Sequence, residues 1–307
     1  DAPTEVQTAV LVPEAFGRDL LVSSRTGSGK TVAFGLAFSP QVIGLEQRLG
    51  RPLAPLALVI APTRELAQQV QRELAWLYAG TGAKIVACVG GMDVRREQRS
   101  LREGAHVVVG TPGRLCDHLD HGFLKLEELR VVVLDEADEM LDMGFKDELE
   151  HLLAGTPATR RTLLFSATLP VETVALANKV QRDAMRIAAT DPRQAHVDIE
   201  YRAVLVAPRE RDHAVVNLLR HLDPAGALVF CNTRDGVTHL QANLLERGFA
   251  ATAISGELTQ SERTRALQTL RDGRARVLVA TDVAARGLDL PSLDVVIHAD
   301  LPYDAQG

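Results

Sequence analysis

The segment Ser24-Arg25-Thr26-Gly27-Ser28-Gly29-Lys30-Thr31 follows the apolar run Leu20 to Val22. A glycine-rich turn ending in Gly-Lys-Thr leaves few folds open: a buried strand enters it, and a helix leaves with its first N–H groups unpaired. The start of the chain is thereby committed to a strand–loop–helix unit. Such units assemble into parallel sheets through right-handed crossovers. The strict form of this loop begins with glycine, and here Ser24 stands in that place. The loop N–H groups can wrap phosphates, Lys30 can reach the terminal ones, and the Thr31 hydroxyl can reach Mg²⁺.

A second string, Asp135-Glu136-Ala137-Asp138, follows the apolar run Val131 to Leu134. Acids after a buried strand sit where open α/β sheets bind ligands. Asp135 is expected to hold hydrated Mg²⁺ and Glu136 to act as general base on a water. An acid-rich helix N-terminus would account for the charges but not for their place after a buried strand.

The strand–turn–helix alternation runs through the chain. Short β-branched runs fall at 20–23, 56–60, 84–89, 106–109, 131–134 and 162–165, with helical stretches at 64–77, 94–102 and 146–153. After a polar break containing Pro192, strands are expected at Tyr201–Val206, Ala227–Cys231, Ala250–Ile254, Val277–Ala280 and Val295–His298. Helices are expected near 210–222, 236–247 and 260–271. The reading is two tandem α/β domains, each a mostly parallel sheet covered by helices on both faces. Their expected limits are residues 1–189 and 197–307, joined by a linker at 190–196.

With 307 residues, 46% hydrophobic and 24% charged, the chain has ordinary globular composition. No apolar run approaches the roughly 20 residues of a membrane helix, and no export signal opens the sequence, so a cytoplasmic protein is expected. Cys88, Cys116 and Cys231 lack metal-ligand spacing and are read as inert buried thiols. A net charge of −6 speaks against a broad basic face but leaves room for local phosphate contacts. His118 and His121, beside Asp117 and Asp120, are read as a solvated helix face.

The Asp-Glu-Ala-Asp string and its companions resemble the DEAD-box family of ATP-dependent RNA helicases over essentially the whole chain. Pro3-Thr4-Glu5-Val6-Gln7 is similar to the family's adenine-reading Q motif. Pro62-Thr63-Arg64, Gly90-Gly91 and Thr111-Pro112-Gly113-Arg114 match its RNA-contacting segments, and Ser166-Ala167-Thr168 the motif linking hydrolysis to strand separation. In the second half, Thr233 and Arg234 fall in motif IV, Arg263 in its companion, and Thr281 to Asp289 in motif V. Eight such matches in order, correctly split between two domains, are specific where each alone is weak.

The resemblance implies two RecA-like domains, ATP and Mg²⁺, and RNA gripped through its backbone with little sequence preference. Gln7 offers a donor and an acceptor to adenine, although Thr4-x-x-Gln7 also reads as a capping box. Thr111 before Pro112 opens a helix that can cradle a phosphate, and Gly113 follows in its first turn. Gly90 and Gly91 permit close approach of a sugar–phosphate chain, or mark a plain turn, and the loop at Ser255-Gly256 is read as holding more of the RNA backbone. Arg64 and Arg114 suit phosphates, or simply a solvated surface. Asp138, Asp282 and Arg286 are assigned by resemblance to coupling between the domains, Ser166 and Thr168 to the hydrolysis cycle, and Asp289 to the ribose.

Two family features are not among these residues: an aromatic upstream of the Q motif, and the arginine-rich motif VI expected after Leu301-Pro302. Loss of such arginine fingers commonly lowers turnover by about 10³ to 10⁵. A chain without them is expected to bind adenine nucleotide yet cleave it slowly. Rival readings are an ATP-gated RNA clamp that unwinds nothing, a DNA translocase, and a small-molecule kinase, which leaves the second domain unexplained.

Overall fold

The computed structural model describes residues 2–25, 27–44, 48–189, 199–256, 258–285, 288, 290 and 293–301, and of residue 260 the backbone alone. The expected linker, Thr26, Arg286 and Asp289 therefore lie outside the described residues. The chain divides into two compact units, residues 1–199 and 200–307.

The first unit contains strands β1 (Leu20–Ser23), β2 (Ala57–Ile60), β3 (Ile85–Cys88), β4 (Val107–Gly110), β5 (Val131–Asp135), β6 (Arg161–Ser166) and β7 (Met185–Ala188). Its helices are α1 (Glu5–Ala9), α2 (Lys30–Val42), α3 (Arg64–Leu77), α4 (Val94–Arg102), α5 (Pro112–Asp120), α6 (Ala137–Asp142), α7 (Lys146–Ala154) and α8 (Val171–Val180). The strands form one sheet in the order β3-β4-β2-β5-β6-β1-β7, parallel throughout. Alternation sends Val131 and Val133 into one core and Val132 and Leu134 into the other. Burial on both faces is why these strands read as unbroken apolar runs. Arg161, 6% exposed, donates to the carbonyls of Ala15, Arg18 and Ala37, tying the N-terminal segment to the sheet and to α2.

The second unit contains β8 (Ala227–Phe230), β9 (Ala251–Ile254), β10 (Val277–Ala280) and β11 (Val295–His298), with α9 (Arg211–Leu222), α10 (Arg234–Glu246), α11 (Gln260–Arg271) and α12 (Asp282–Ala285). Its order, β11-β8-β10-β9, is parallel throughout. Reversed, this is the β3-β4-β2-β5 segment of the first sheet with β9, β10, β8 and β11 in the same places. The two units share one strand–helix plan.

Some helix starts are set by short polar side chains. Thr63, Asp93 and Thr233 cap α3, α4 and α10, and Thr259 with Glu262 forms a capping box on α11. Two expectations need correction. Tyr201–Val206 forms no strand: the run is exposed, Leu205 fully so, and β-propensity without a ladder partner does not make one. Conversely β7, four residues with Arg186 among them and two of the four exposed, is a strand that the apolar runs do not show; pairing with β1 creates it. Among the described residues no helix is long and apolar enough to cross a membrane.

Candidate nucleotide and RNA sites

The sheet order divides the carboxyl edge of the first unit into two halves. The Ser24–Thr31 loop follows β1, while the Asp135 and Ser166 segments end β5 and β6, and these strands are neighbours in the order β5-β6-β1. The Pro62–Arg64, Gly90–Gly91 and Thr111–Arg114 segments follow β2, β3 and β4, which are neighbours in the order β3-β4-β2. Motifs scattered over some 150 positions are thus sorted by topology into two adjoining sites.

In the first half, Gly29 caps α2 at φ 86°, so Lys30 and Thr31 form the helix's first turn and are both buried. A Cβ on Gly29 would lie 2.5 Å from Gln7 Nε2. Gln7 makes both kinds of contact: its Oε1 accepts the Thr4 N–H at 3.1 Å, and its Nε2 donates to the Gly29 carbonyl at 3.3 Å. The capping box and a link to the loop coexist. Arg25, Gly27 and Ser28 complete the described loop, with Gly27 at φ 78°.

Lys30 Nζ stands 3.6 Å from Glu136 Oε1. Glu136, at the N-cap of α6, has φ 52°, a left-handed conformation that a non-glycine residue adopts only when its surroundings impose it. Burial pushes the Asp135 carboxyl up to about 7 against the pull of Lys30, and Glu136 adds to the rise. Lys30 Nζ, Asp135 Oδ1, Ser24 Oγ and Ser28 Oγ are buried without a hydrogen-bond partner among the described residues. The Asp138 N–H donates to Ser166 Oγ at 3.2 Å, and Asp138 Oδ2 accepts the Thr168 N–H and hydroxyl at 2.8 and 2.7 Å. The Ser24 N–H donates to the Ser166 carbonyl at 3.0 Å, closing a chain from loop to acids to Ser166–Thr168. An orphaned ammonium and two orphaned hydroxyls suit phosphate oxygens, and an orphaned carboxylate suits a hard cation; these residues fit ATP with Mg²⁺.

The second half contains a residue that the motif reading missed. Glu97 of α4, 6% exposed, accepts the Val89 N–H at 2.9 Å, Arg114 Nη1 at 2.7 Å and bonds His118 Nε2 at 2.7 Å. It joins the strand end before Gly90 to the helix that carries Arg114. Burial alone would raise its carboxyl, but the His118, Val89 and Arg114 hydrogen bonds outweigh that and hold it below the usual carboxylate value. The signal was present: Val94, Glu97 and Leu101 share one helix face, and an acid on an apolar face implies a buried partner.

Arg114 is therefore turned inward rather than solvated. His118, 1% exposed, is no part of a solvated face, whereas His121 is exposed. The ligand atoms of Cys88, Glu97 and His118 lie within 4.8 Å of one another, but the carboxylate already meets three protein donors. The thiols are buried as expected, with burial pushing Cys116 and Cys231 up to about 11.

Thr63 Oγ1 is spent on the Leu66 N–H, whereas Thr111 makes no side-chain cap. A Cβ on Gly90 would lie 3.1 Å from the Arg64 guanidinium, so that arginine lies across the loop. Gly91 has φ 77°, Gly113 is exposed, and Pro62 is buried at the strand end. The second unit repeats the device: Thr233 caps α10 through the Gly236 N–H, and the Arg234 guanidinium lies 4.0 Å from a Cβ built on Gly256. Arg263 donates to the Ala284 carbonyl at 2.6 Å, and Thr281 Oγ1 accepts the Ala284 N–H at 3.4 Å, holding the start of α12, where Asp282 sits. Asp300, also missed, accepts from Arg211 and from the Asn232 N–H, pinning the loop before Thr233.

Comparison with known proteins agrees with this arrangement. The DEAD/DEAH box helicase family matches residues 4–177, and the helicase conserved C-terminal domain matches residues 210–307. The chain is 41% identical over 305 residues to the ATP-dependent RNA helicase DbpA of Escherichia coli, covering 99% of this chain and 65% of that protein. It is 40% identical to the RNA helicase CrhR of Synechocystis, covering 100% of this chain and 61% of that one. Among solved structures, Saccharomyces cerevisiae Dbp5 bound to RNA and ADP BeF3 gives a TM-score of 0.81 at 26% identity, covering 99% of this chain and 76% of that one. A DEAD box protein from Methanococcus jannaschii gives 0.55 at 36% identity, covering 99% and 80%. The chain spans about three fifths of the length of the curated relatives it matches. On its sequence, its two parallel-sheet units and the match over residues 4–177, the chain belongs to the DEAD/DEAH box helicase family.

Proposed function

We propose that this chain is the core of an ATP-dependent RNA helicase, in which binding and cleavage of ATP gate a grip on the RNA backbone and open short duplexes. The observation that carries the reading is the set of buried groups without hydrogen-bond partners, Lys30 Nζ, Ser24 Oγ, Ser28 Oγ and Asp135 Oδ1. Leaving such groups unpaired costs roughly 1–3 kcal/mol each, a cost that a triphosphate and its cation would offset. The names of the relatives, and the RNA and ADP BeF3 in the Dbp5 structure, support the same substrate pair.

In this reading Lys30, the Ser24–Ser28 segment and the N-terminus of α2 hold the phosphates, and Gln7 reads the adenine edge. Thr31 and Asp135 would hold Mg²⁺, largely through water, and the ion would neutralise charge building on the phosphates. Glu136 takes the proton of the attacking water. Asp138 passes the change at the phosphates to Ser166 and Thr168 through the bonds described above. Pro62, Thr63, Arg64, Gly90, Gly91, Thr111 and Gly113 meet RNA phosphates on the adjoining half, with Arg114 fixing that surface through Glu97. Thr233, Arg234, Gly256, Arg263 and Thr281 supply the matching surface of the second unit.

Steady-state ATP turnover with and without single-stranded RNA tests the proposal, together with displacement of a short duplex. RNA is expected to raise turnover and single-stranded DNA to leave it unchanged. A protein that ignores ATP at millimolar Mg²⁺ overturns the reading. One that holds RNA with a non-hydrolysable analogue but displaces no strand is a clamp.

A further inference from the structure

Helix α4 carries Arg95, Arg96, Arg99 and Arg102, all exposed. The chain has 34 lysines and arginines in 307 residues, one in nine on average, against four in this nine-residue helix. At about 100° per residue these arginines cluster on one side of the helix, opposite the buried Glu97 and Leu101. Solvated helix faces ordinarily mix signs, with acids and bases paired four apart. Here the only acid within the helix is Glu97, which faces inward, and none of the four arginines forms an ion pair with a described residue. Arg95 and Arg96 sit in the first turn, where the helix dipole disfavours a cation. Arg102 is held over the Phe123 ring at 4.9 Å, beyond the end of α5.

The buried face of this same helix is bolted through Glu97 to the strand end before Gly90 and to Arg114. Resting on the reading above, we infer that the arginine face of α4 is a second, sequence-independent RNA-backbone surface, continuous with the Gly90–Gly91 and Thr111–Arg114 segments. It takes the part of the strand or flanking duplex that leaves them. From Arg95 to Arg102 the helix rises about 10 Å, enough to face roughly three phosphates of one strand. Guanidinium forks suit such oxygens, and contacts of this kind carry no base information.

The test titrates fluorescent oligo(U) RNAs of about 6 and about 16 nucleotides with a non-hydrolysable ATP analogue and Mg²⁺ present. The protein is compared with Arg95→Gln/Arg96→Gln/Arg99→Gln and with the corresponding triple lysine variant. The protein is expected to favour the long RNA. The glutamine variant is expected to lose that preference by about tenfold at moderate salt, and its slope of log K against log salt to fall by about 2, near 0.7 per lost phosphate contact. Its affinity for the short RNA and its basal ATP turnover stay unchanged, and the lysines restore most of the slope. An unchanged slope and length preference in a folded glutamine variant overturns the inference. So does tighter binding of a poly-glutamate of matched charge, which would make the surface one for acidic protein. If the unsubstituted protein binds neither RNA, the helicase reading falls with it.

Discussion

Two clusters of buried charge sit on the same carboxyl edge of the first sheet and are finished in opposite ways. Around Glu97 the carboxylate itself is filled: it meets a backbone N–H, a guanidinium and an imidazole and is held below its ordinary value, and only the far nitrogen of that imidazole, His118 Nδ1, is left without a hydrogen-bond partner among the described residues. Around Asp135 the pairing stops short: Lys30 Nζ has Glu136 at ion-pair distance, yet the ammonium, two hydroxyls and a carboxylate oxygen have no hydrogen-bond partner among the described residues. Burial then dominates, and the Asp135 carboxyl is pushed up to about 7. A filled carboxylate fixes loops in place, whereas a cluster of unfilled groups can take up a ligand that fills them, as proposed above.

The sharpest way to break this comparison is to alter one acid in each cluster. Glu136→Gln keeps the shape and removes the base, so RNA-stimulated turnover should fall by about 10² to 10⁴. Nucleotide affinity, read by fluorescent ATP titration, should hold, as should the melting temperature. Loss of nucleotide binding as well would mean that Glu136 builds the pocket rather than working in it. Glu97→Ala should do the reverse. It leaves the Arg114 guanidinium without its counter-charge and His118 Nε2 without its hydrogen-bond partner, a change that costs about 3–5 kcal/mol in buried pairs. Denaturant unfolding should show that loss while the protein that remains folded still binds ATP.

How much of this could be read from the sequence follows the same division. On the half that holds Ser24–Thr31 and Asp135–Asp138, the strands, loops and helices were legible because each rests on a short local string. Glu97, Asp300 and the inward turn of Arg114 and His118 were not, because their partners lie on other helices and loops and only topology brings them together. Tyr201–Val206 shows the converse limit: β-branched residues propose a strand, but a ladder partner decides. The Thr63–Arg64 and Thr233–Arg234 correspondence was half visible, as two matched motifs. That each arginine lies by a glycine in the loop after the next strand of the chain is a product of the fold.

Acid titration sharpens the contrast, since the two carboxylates link to folding with opposite sign. Glu97, held low, contributes stability that is present above the ordinary glutamate value of about 4.3 and is lost as pH falls through its lower folded value. Asp135, held high, binds its proton more tightly folded than unfolded. Between its unfolded value near 4 and about 7, rising pH therefore lowers stability, by at most about 1.4 kcal/mol per pH unit. Asp135→Asn should flatten the slope between about pH 4 and 7, and Glu97→Gln should flatten the acid limb below it. Chemical denaturation across pH without nucleotide measures both. A slope unchanged by Asp135→Asn would mean that the carboxyl is ionised in the nucleotide-free protein and that the cluster is completed from within.

The smallest effect falls on Gln7, which stands between the two modes. Its carbonyl oxygen completes the cap of α1, and its amide nitrogen ties that helix to Gly29 in the phosphate loop. Gln7→Glu keeps an acceptor at the capping position but sets a carboxylate oxygen where the amide donates to the Gly29 carbonyl, so the melting temperature should fall by a few degrees, about 1 kcal/mol. What it removes is the donor. Adenine presents both a donor and an acceptor along one edge, and a carboxylate answers only the first. Preference for ATP over GTP should therefore shrink by about tenfold, the scale of one hydrogen bond, while Gln7→Ala loses the same preference and part of the cap, about 1 kcal/mol. Should the glutamate variant discriminate as well as the parent, Gln7 is a helix cap that happens to touch the loop, and base selection lies elsewhere.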